Sequence, residues 1–319
     1  MLEDIGFYTL SDHRALHSST TSPLWRCEIL LTDRCNFKCP YCRGMAEPLR
    51  GTLPVSQVEK TLRFWFQDGL KNVRFSGGEP CMHPNLEHFV SLCRNNGVER
   101  IALSTNGSFP LERYVQLIKC GVNDFSISLD ACCAQIGDRM AGREGAWERV
   151  VHNIAALSKM TYVSVGMVFT KENICQAKES VMFAHSLGVT DIRVIPSAQY
   201  NQALTDLATL PPAILAQYPI LSYRIKNVMR GRHVRGIPPN AHHKCLLMLD
   251  DMAVAGDYHF PCIIYLREGG DPVGRVGPHM RKDRAKFIET HNPWEDPICK
   301  KMCLDVCIDF NEVASRRKR

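Results

Sequence analysis

The 319-residue chain has no stretch approaching the roughly 18 consecutive apolar residues that a membrane span requires. Its first residues, interrupted by Asp4, His13 and Arg14, lack the apolar core of a secretion signal. Internal repeats and low-complexity segments are absent too. One-sided charge is also missing: 39 Lys and Arg against 33 Asp and Glu leave a formal charge of only +6, and the densest basic run is the terminal Arg316, Arg317, Lys318, Arg319. We therefore expect a cytoplasmic protein with no membrane partner, and the charge disfavours nucleic acid. A chain that is 45% hydrophobic and 23% charged argues against disorder, and the length suits one large domain with a small appended one.

Cysteine, by contrast, is abundant. The chain has 15, and without a secretion signal a disulfide framework is disfavoured, so the thiolates are expected to serve as ligands. Cys35, Cys39 and Cys42 form one tight group. Cys245 and Cys262 stand apart, and Cys299, Cys303 and Cys307 form a second group near the C-terminus. Two soft-metal sites are implied.

Six apolar, β-branched runs read as buried strands: 27–32, 72–75, 100–103, 124–128, 162–169 and 191–195. Helical periodicity fills the intervals at 55–68, 86–93, 111–118, 147–157 and 174–187. Alternating strand and helix over about 180 residues predicts an α/β fold with a parallel sheet, curled as a barrel or left open. After Pro196 the rhythm stops, and the prolines at 211, 212, 219, 238 and 239 predict a linker over 206–240 that leads into a cysteine-bearing tail with little periodicity. The unusual residues all fall at carboxyl ends of strands: the first cysteine group, Gly77-Gly78-Glu79-Pro80, Ser104-Thr105-Asn106-Gly107 and Ser128-Leu129-Asp130. In parallel α/β folds that rim is where ligands bind.

Cys35-x-x-x-Cys39-x-x-Cys42 offers three thiolates within eight residues, enough for three corners of a cubane cluster with one iron left open. A structural zinc site would want a fourth ligand nearby, and the nearest following histidine is the distant His83. Together with Tyr41 and Gly77-Gly78-Glu79-Pro80, this segment resembles the radical S-adenosylmethionine (SAM) superfamily, over roughly residues 24–200. The resemblance implies a partial (β/α)6 TIM-like barrel whose three cysteines hold a [4Fe-4S] cluster. It implies that SAM chelates the open iron and is cleaved by one electron to methionine and a 5'-deoxyadenosyl radical, which takes a hydrogen atom from substrate. An electron donor such as flavodoxin or ferredoxin is implied as a partner.

Carried over position by position, Tyr41 belongs to the cofactor-binding motif, and Glu79 with the backbone of Gly77 and Gly78 would receive the methionine ammonium. Ser104, Asn106 and Ser128 would contact ribose and carboxylate, Arg139 or its competitor Arg143 the carboxylate, and Ile192 the adenine, with core filling an equal explanation for Ile192. Cys245, Cys262, Cys299, Cys303 and Cys307 resemble the ligands of a twitch domain, the shortened SPASM domain, which holds an auxiliary [4Fe-4S] cluster. A departure is the spacing by four of the last three, which on one helix would line one face. Four of the five would close the cluster, the fifth being a spare ligand, a buried thiol or a hydrogen-atom donor. Zinc remains open there, with His242, His243 and His291 close in sequence. Cys133, like Cys81 and Cys132, lies at the active rim as a candidate hydrogen-atom donor.

The domain organisation expected is thus an N-terminal extension over 1–23, the barrel over 24–205, the linker over 206–240, an auxiliary-cluster domain over 241–312 and a basic tail over 313–319. The function expected is oxidation or epimerisation of a small-molecule substrate such as a sugar, aminocyclitol or nucleoside intermediate. The alternative is maturation of a peptide substrate, disfavoured because only about 25 residues precede the first strand. A zinc-binding interaction protein and an RNA-modifying enzyme rank below these.

Overall fold

The computed structural model describes residues 2–45, 50–196 and 202–316; Arg317, Lys318 and Arg319 of the expected basic tail lie outside them. The chain forms two compact units that do not follow chain order. The first takes the chain as far as Arg34, then Gly44–Ile101 and everything from Arg235 on; the second takes Cys35–Arg43 and Ala102–Val234.

In the first unit β1 (Arg26–Thr32) is buried along almost its whole length, as suits a near-continuous apolar run covered on both faces. Helix α2 (Val55–Gln67) buries Val58, Leu62 and Trp65 and leads to β2 (Asn72–Gly77), parallel to β1 with Ile29 opposite Phe75. Helix α3 (Leu86–Asn95) follows. The C-terminal segment returns to this sheet. Strand β7 (Asp251–Ala255) lies parallel to the other edge of β1, Ile29 opposite Val254, and β8 (Tyr258–Phe260) and β9 (Gly274–Arg275) continue antiparallel. The N-terminal helix α1 (Asp12–His17) packs on the last helix, α14 (Asp305–Arg316), and buried Arg14 ion-pairs with Asp250 and Asp251.

The second unit holds β3 (Arg100–Thr105) from Ala102 on, β4 (Asp124–Ser128), β5 (Tyr162–Phe169) and β6 (Asp191–Pro196), which pair in that order and are all parallel. Helices α4 (Leu111–Cys120), α5 (Ala134–Ala141), α6 (Ala146–Leu157) and α7 (Ala177–Ser186) make the connections. The α/β class with a parallel sheet is as expected. After β6 come α8 (Gln202–Leu207), α9 (Pro212–Gln217) and α10 (Pro219–Met229), the last two within the stretch read as a linker. Pro212 and Pro219 stand at first helical positions, where a missing N–H costs nothing, so they begin helices rather than break them. Helix α10 buries Ile220, Leu221 and Ile225 and packs on β6. Among the described residues no helix is long and apolar enough to cross a membrane.

Candidate active site

The first cysteine group lies in the loop after β1, in the second unit. Cys35 and Cys42 are exposed and Cys39 is partly so. The loop is held at both ends of the motif by other elements of its own unit. Lys38 donates its N–H to the carbonyl of Ala141 at 2.9 Å, at the end of α5. There Gly142 is left-handed, and a Cβ on it would sit 2.5 Å from the Lys38 carbonyl oxygen, so the close approach demands glycine. Tyr41 donates its hydroxyl to Asp130 just beyond β4, and Asp130 also accepts the Val168 N–H at 2.7 Å. Burial raises the Asp130 carboxyl to about 6 against the pull of these two donors. Burial, then Asp130, pushes the Cys39 thiol up to about 12, the Tyr41 hydroxyl opposing. Cys35 Sγ accepts from the Phe37 N–H at 3.4 Å and from Asn106 Nδ2 at 3.8 Å.

The other residues carried over to this unit are placed unevenly. Ser128 and Arg139 are exposed, as is Arg143, and Ser104 is half-buried at the end of β3. Cys133 is half-buried as the residue before α5. Ile192 is fully buried in β6 opposite Val165. Asn106 spends its amide within the loops, on Asn36 and the Ser108 N–H.

In the first unit, Gly77 and Gly78 turn tightly over the chain that leads into the cysteine loop. A Cβ on Gly77, at φ +140°, would lie 2.3 Å from the Thr32 carbonyl oxygen, and one on Gly78 2.3 Å from that of Arg34. The Glu79 side chain is fully buried and accepts the Cys81 N–H at 3.0 Å, capping the turn Pro80–Met82. Sequence reasoning missed Arg267, at the end of α11 (Ile263–Arg267): it donates to the carbonyls of Gly44 and Gly77, each at 2.7 Å. Nothing local marks it, since both partners are about 200 positions away.

All five late cysteines line one cavity in the first unit, with His291 at its wall and apolar side chains such as Ile237, Leu247 and Phe287 around them. They do not share one helix face. Helix α13 (Pro297–Met302) stops at Cys303, and Cys307 lies in the first turn of α14, so the even spacing spans a break. Burial raises the Cys245 thiol to about 11 and that of Cys307 to about 12, and the neighbouring thiols add to burial in holding Cys303 well above its ordinary value. Thiols crowded in an apolar cavity ask for a cationic centre to bind as thiolates. A tetrahedral zinc with Zn–S near 2.3 Å would bring its sulfurs to about 3.8 Å of one another. Among the described residues no three cysteine sulfurs all lie within 4.8 Å; the only group that does meet that distance is His291, Asp296 and Cys299. The five thiols with that triad beside them offer soft ligands for a metal centre.

Residues 29–184 match the family model described as the radical SAM superfamily. GTP 3',8-cyclase of Brucella ovis is 31% identical over 192 residues, 56% of this chain and 55% of the relative, and the Brucella abortus protein of that name matches equally. The chain thus spans about half the length of these curated relatives. Among solved structures, Streptococcus suis SuiB bound to precursor peptide SuiA has a TM-score of 0.58 at 17% identity, covering 88% of this chain and 66% of that one. Native anSMEcpe with bound AdoMet and Cp18Cys peptide has a TM-score of 0.58 at 14% identity, covering 92% and 96%. At these identities the likeness is one of fold. Over residues 29–184 the chain is thus similar to the radical SAM superfamily.

Proposed function

We propose that the chain is a radical SAM enzyme that takes a hydrogen atom from a small molecule, of sugar, aminocyclitol or nucleoside type, and so oxidises or epimerises it. Cys35, Cys39 and Cys42 would hold the SAM-binding [4Fe-4S] cluster on a partial (β/α)6 barrel, fed by a donor such as flavodoxin or ferredoxin. Tyr41, Gly77, Gly78, Ser104, Ser128 and Arg139 would bound the SAM site, and Glu79 would serve through the turn that it caps. When bound, cluster and SAM supply one-electron cleavage of a sulfonium and hydrogen-atom abstraction. The segment 241–312 would hold an auxiliary [4Fe-4S] cluster on Cys245, Cys262, Cys303 and Cys307. Cys299 is the fifth thiol, its sulfur 3.7 Å from His291 Nε2 and its N–H capped by Asp296 at 2.7 Å.

The observation that carries this reading is the five-thiol cavity, which offers a second centre to accept the electron left by an oxidation. The curated relatives' name, GTP 3',8-cyclase, supports a small molecule. A peptide is the second reading, supported by the peptides bound in the SuiB and anSMEcpe structures. The test incubates anaerobically reconstituted enzyme with SAM, dithionite and panels of polyols, nucleosides and Cys-, Ser- or Gly-rich peptides, reading 5'-deoxyadenosine. Substrate-dependent release with a polyol or nucleoside is expected, with a product lighter by two hydrogens or unchanged in mass. Release with peptides alone would replace the small-molecule reading.

A further inference from the structure

One side chain joins the loop after β3 to the cysteine motif within the second unit. Asn106 Nδ2 donates to Asn36 Oδ1 at 2.7 Å and reaches Cys35 Sγ at 3.8 Å, while its Oδ1 accepts the Ser108 N–H at 3.0 Å. Asn36 closes the circuit by donating to Ser108 Oγ at 2.8 Å. An amide has two N–H groups and one oxygen, and all three are engaged by protein atoms in a side chain only 9% exposed. The hydrogens that a ribose or carboxylate contact would need are directed at Asn36 and Cys35.

We infer that Asn106 is a positioning residue for Cys35, and that its N–H···S bond raises the reduction potential of the cluster Cys35 helps hold. The inference rests on the reading of Cys35, Cys39 and Cys42 as ligands. Its physical basis is that reduction adds negative charge to a cluster and its sulfurs, so a donor aimed at a ligating sulfur favours the reduced state. Cys35 receives two such donors, Asn106 and the Phe37 N–H. The same device recurs in the other unit: buried Asn311 points Nδ2 at Cys245 Sγ at 4.0 Å, its Oδ1 fixed by the Leu247 N–H at 2.9 Å.

The experiment is a redox titration, followed by EPR, of the reconstituted holoenzyme and of Asn106→Asp, Asn106→Leu and Asn311→Asp. The SAM-binding cluster is identified as the one whose signal changes when SAM is added. Both Asn106 variants are expected to make that couple more negative, to leave the other couple in place and to change the Kd for SAM less than about threefold; Asn311→Asp should move only the other couple. An unmoved potential with SAM affinity weakened tenfold or more would overturn the inference and return Asn106 to the SAM site. Should the Asn106 variants not take up the cluster, the Asn311→Asp holoenzyme labelled with 15N-asparagine decides the matter. With Asn36→Asp added so that residue 36 carries no label, its reduced, SAM-free signal should show 15N coupling in pulsed EPR, and no coupling overturns the inference. Unmodified protein that takes up no cluster overturns the underlying reading instead.

Discussion

At the residue scale, His259 shows what burial does to a titratable group that nothing compensates. It lies in β8 with no exposed surface, and neither ring nitrogen has a hydrogen-bond partner among the described residues. Burial, with Arg284 adding to it, lowers its pKa from 6.5 to about 3, so the folded chain keeps the ring neutral where an unfolded one would charge it. The folded state binds fewer protons between pH 6.5 and 3. Its stability is therefore full above 6.5 and falls as pH drops through that window. At pH 5 the loss from this one group is about 2 kcal/mol. His259→Leu removes both the titration and two unsatisfied buried nitrogens. Urea unfolding is expected to show the variant gaining about 2 kcal/mol on the parent between pH 7.5 and pH 5, and an equal gap at both pH values would refute the assignment. Other single-residue demands were readable in advance. The Gly77-Gly78 pair stands out in the sequence as backbone for a ligand, and the structure adds that the carbonyls of Thr32 and Arg34 leave no room there for a Cβ. Gly142 and Arg267 were not readable, because their partners are set by the tertiary fold.

At the element scale, strands and crossover helices of the two parallel segments were legible because each apolar run is buried on both sides. Strands β4 and β5 have the expected limits, and the predicted helix over 174–187 resolves into a short 3-10 turn and α7. Reading failed where punctuation residues have two meanings. Proline can end a helix or open one, and spacing by four shows a helix face only if the helix continues. Cys303 ends α13 and turns the chain into α14, so Cys303 and Cys307 face the cavity from two elements while Cys299 leans to His291. Substitution should separate these thiols. Cys303→Ala is expected to lower iron and sulfide from about eight to about four per chain, the content of one cubane. Cys299→Ala is expected to keep about eight. If Cys299→Ala instead loses four, the fifth thiol is a ligand and another is the spare.

At the scale of the whole molecule, composition and the order of elements made the class legible, but nothing local shows where the last segment docks. Strand β7 reads as a short apolar run inside a cysteine-rich tail; only pairing with β1, from Arg26 opposite Asp251 to Leu30 opposite Ala255, makes it part of the same layer as the first strand. Because ribosomes emit this polypeptide in one direction, the amides and carbonyls along that flank of β1 wait through some 220 codons for their mate. A prematurely stopped message ending before Asp251 would release a product with a naked, adhesive flank. Such products are expected in the pellet after lysis, whereas a stop after Arg316 should leave the protein in the supernatant, and equal partitioning of the two would argue that the flank is harmless. Holding such nascent chains apart until synthesis is complete is work that falls to the cell's chaperones.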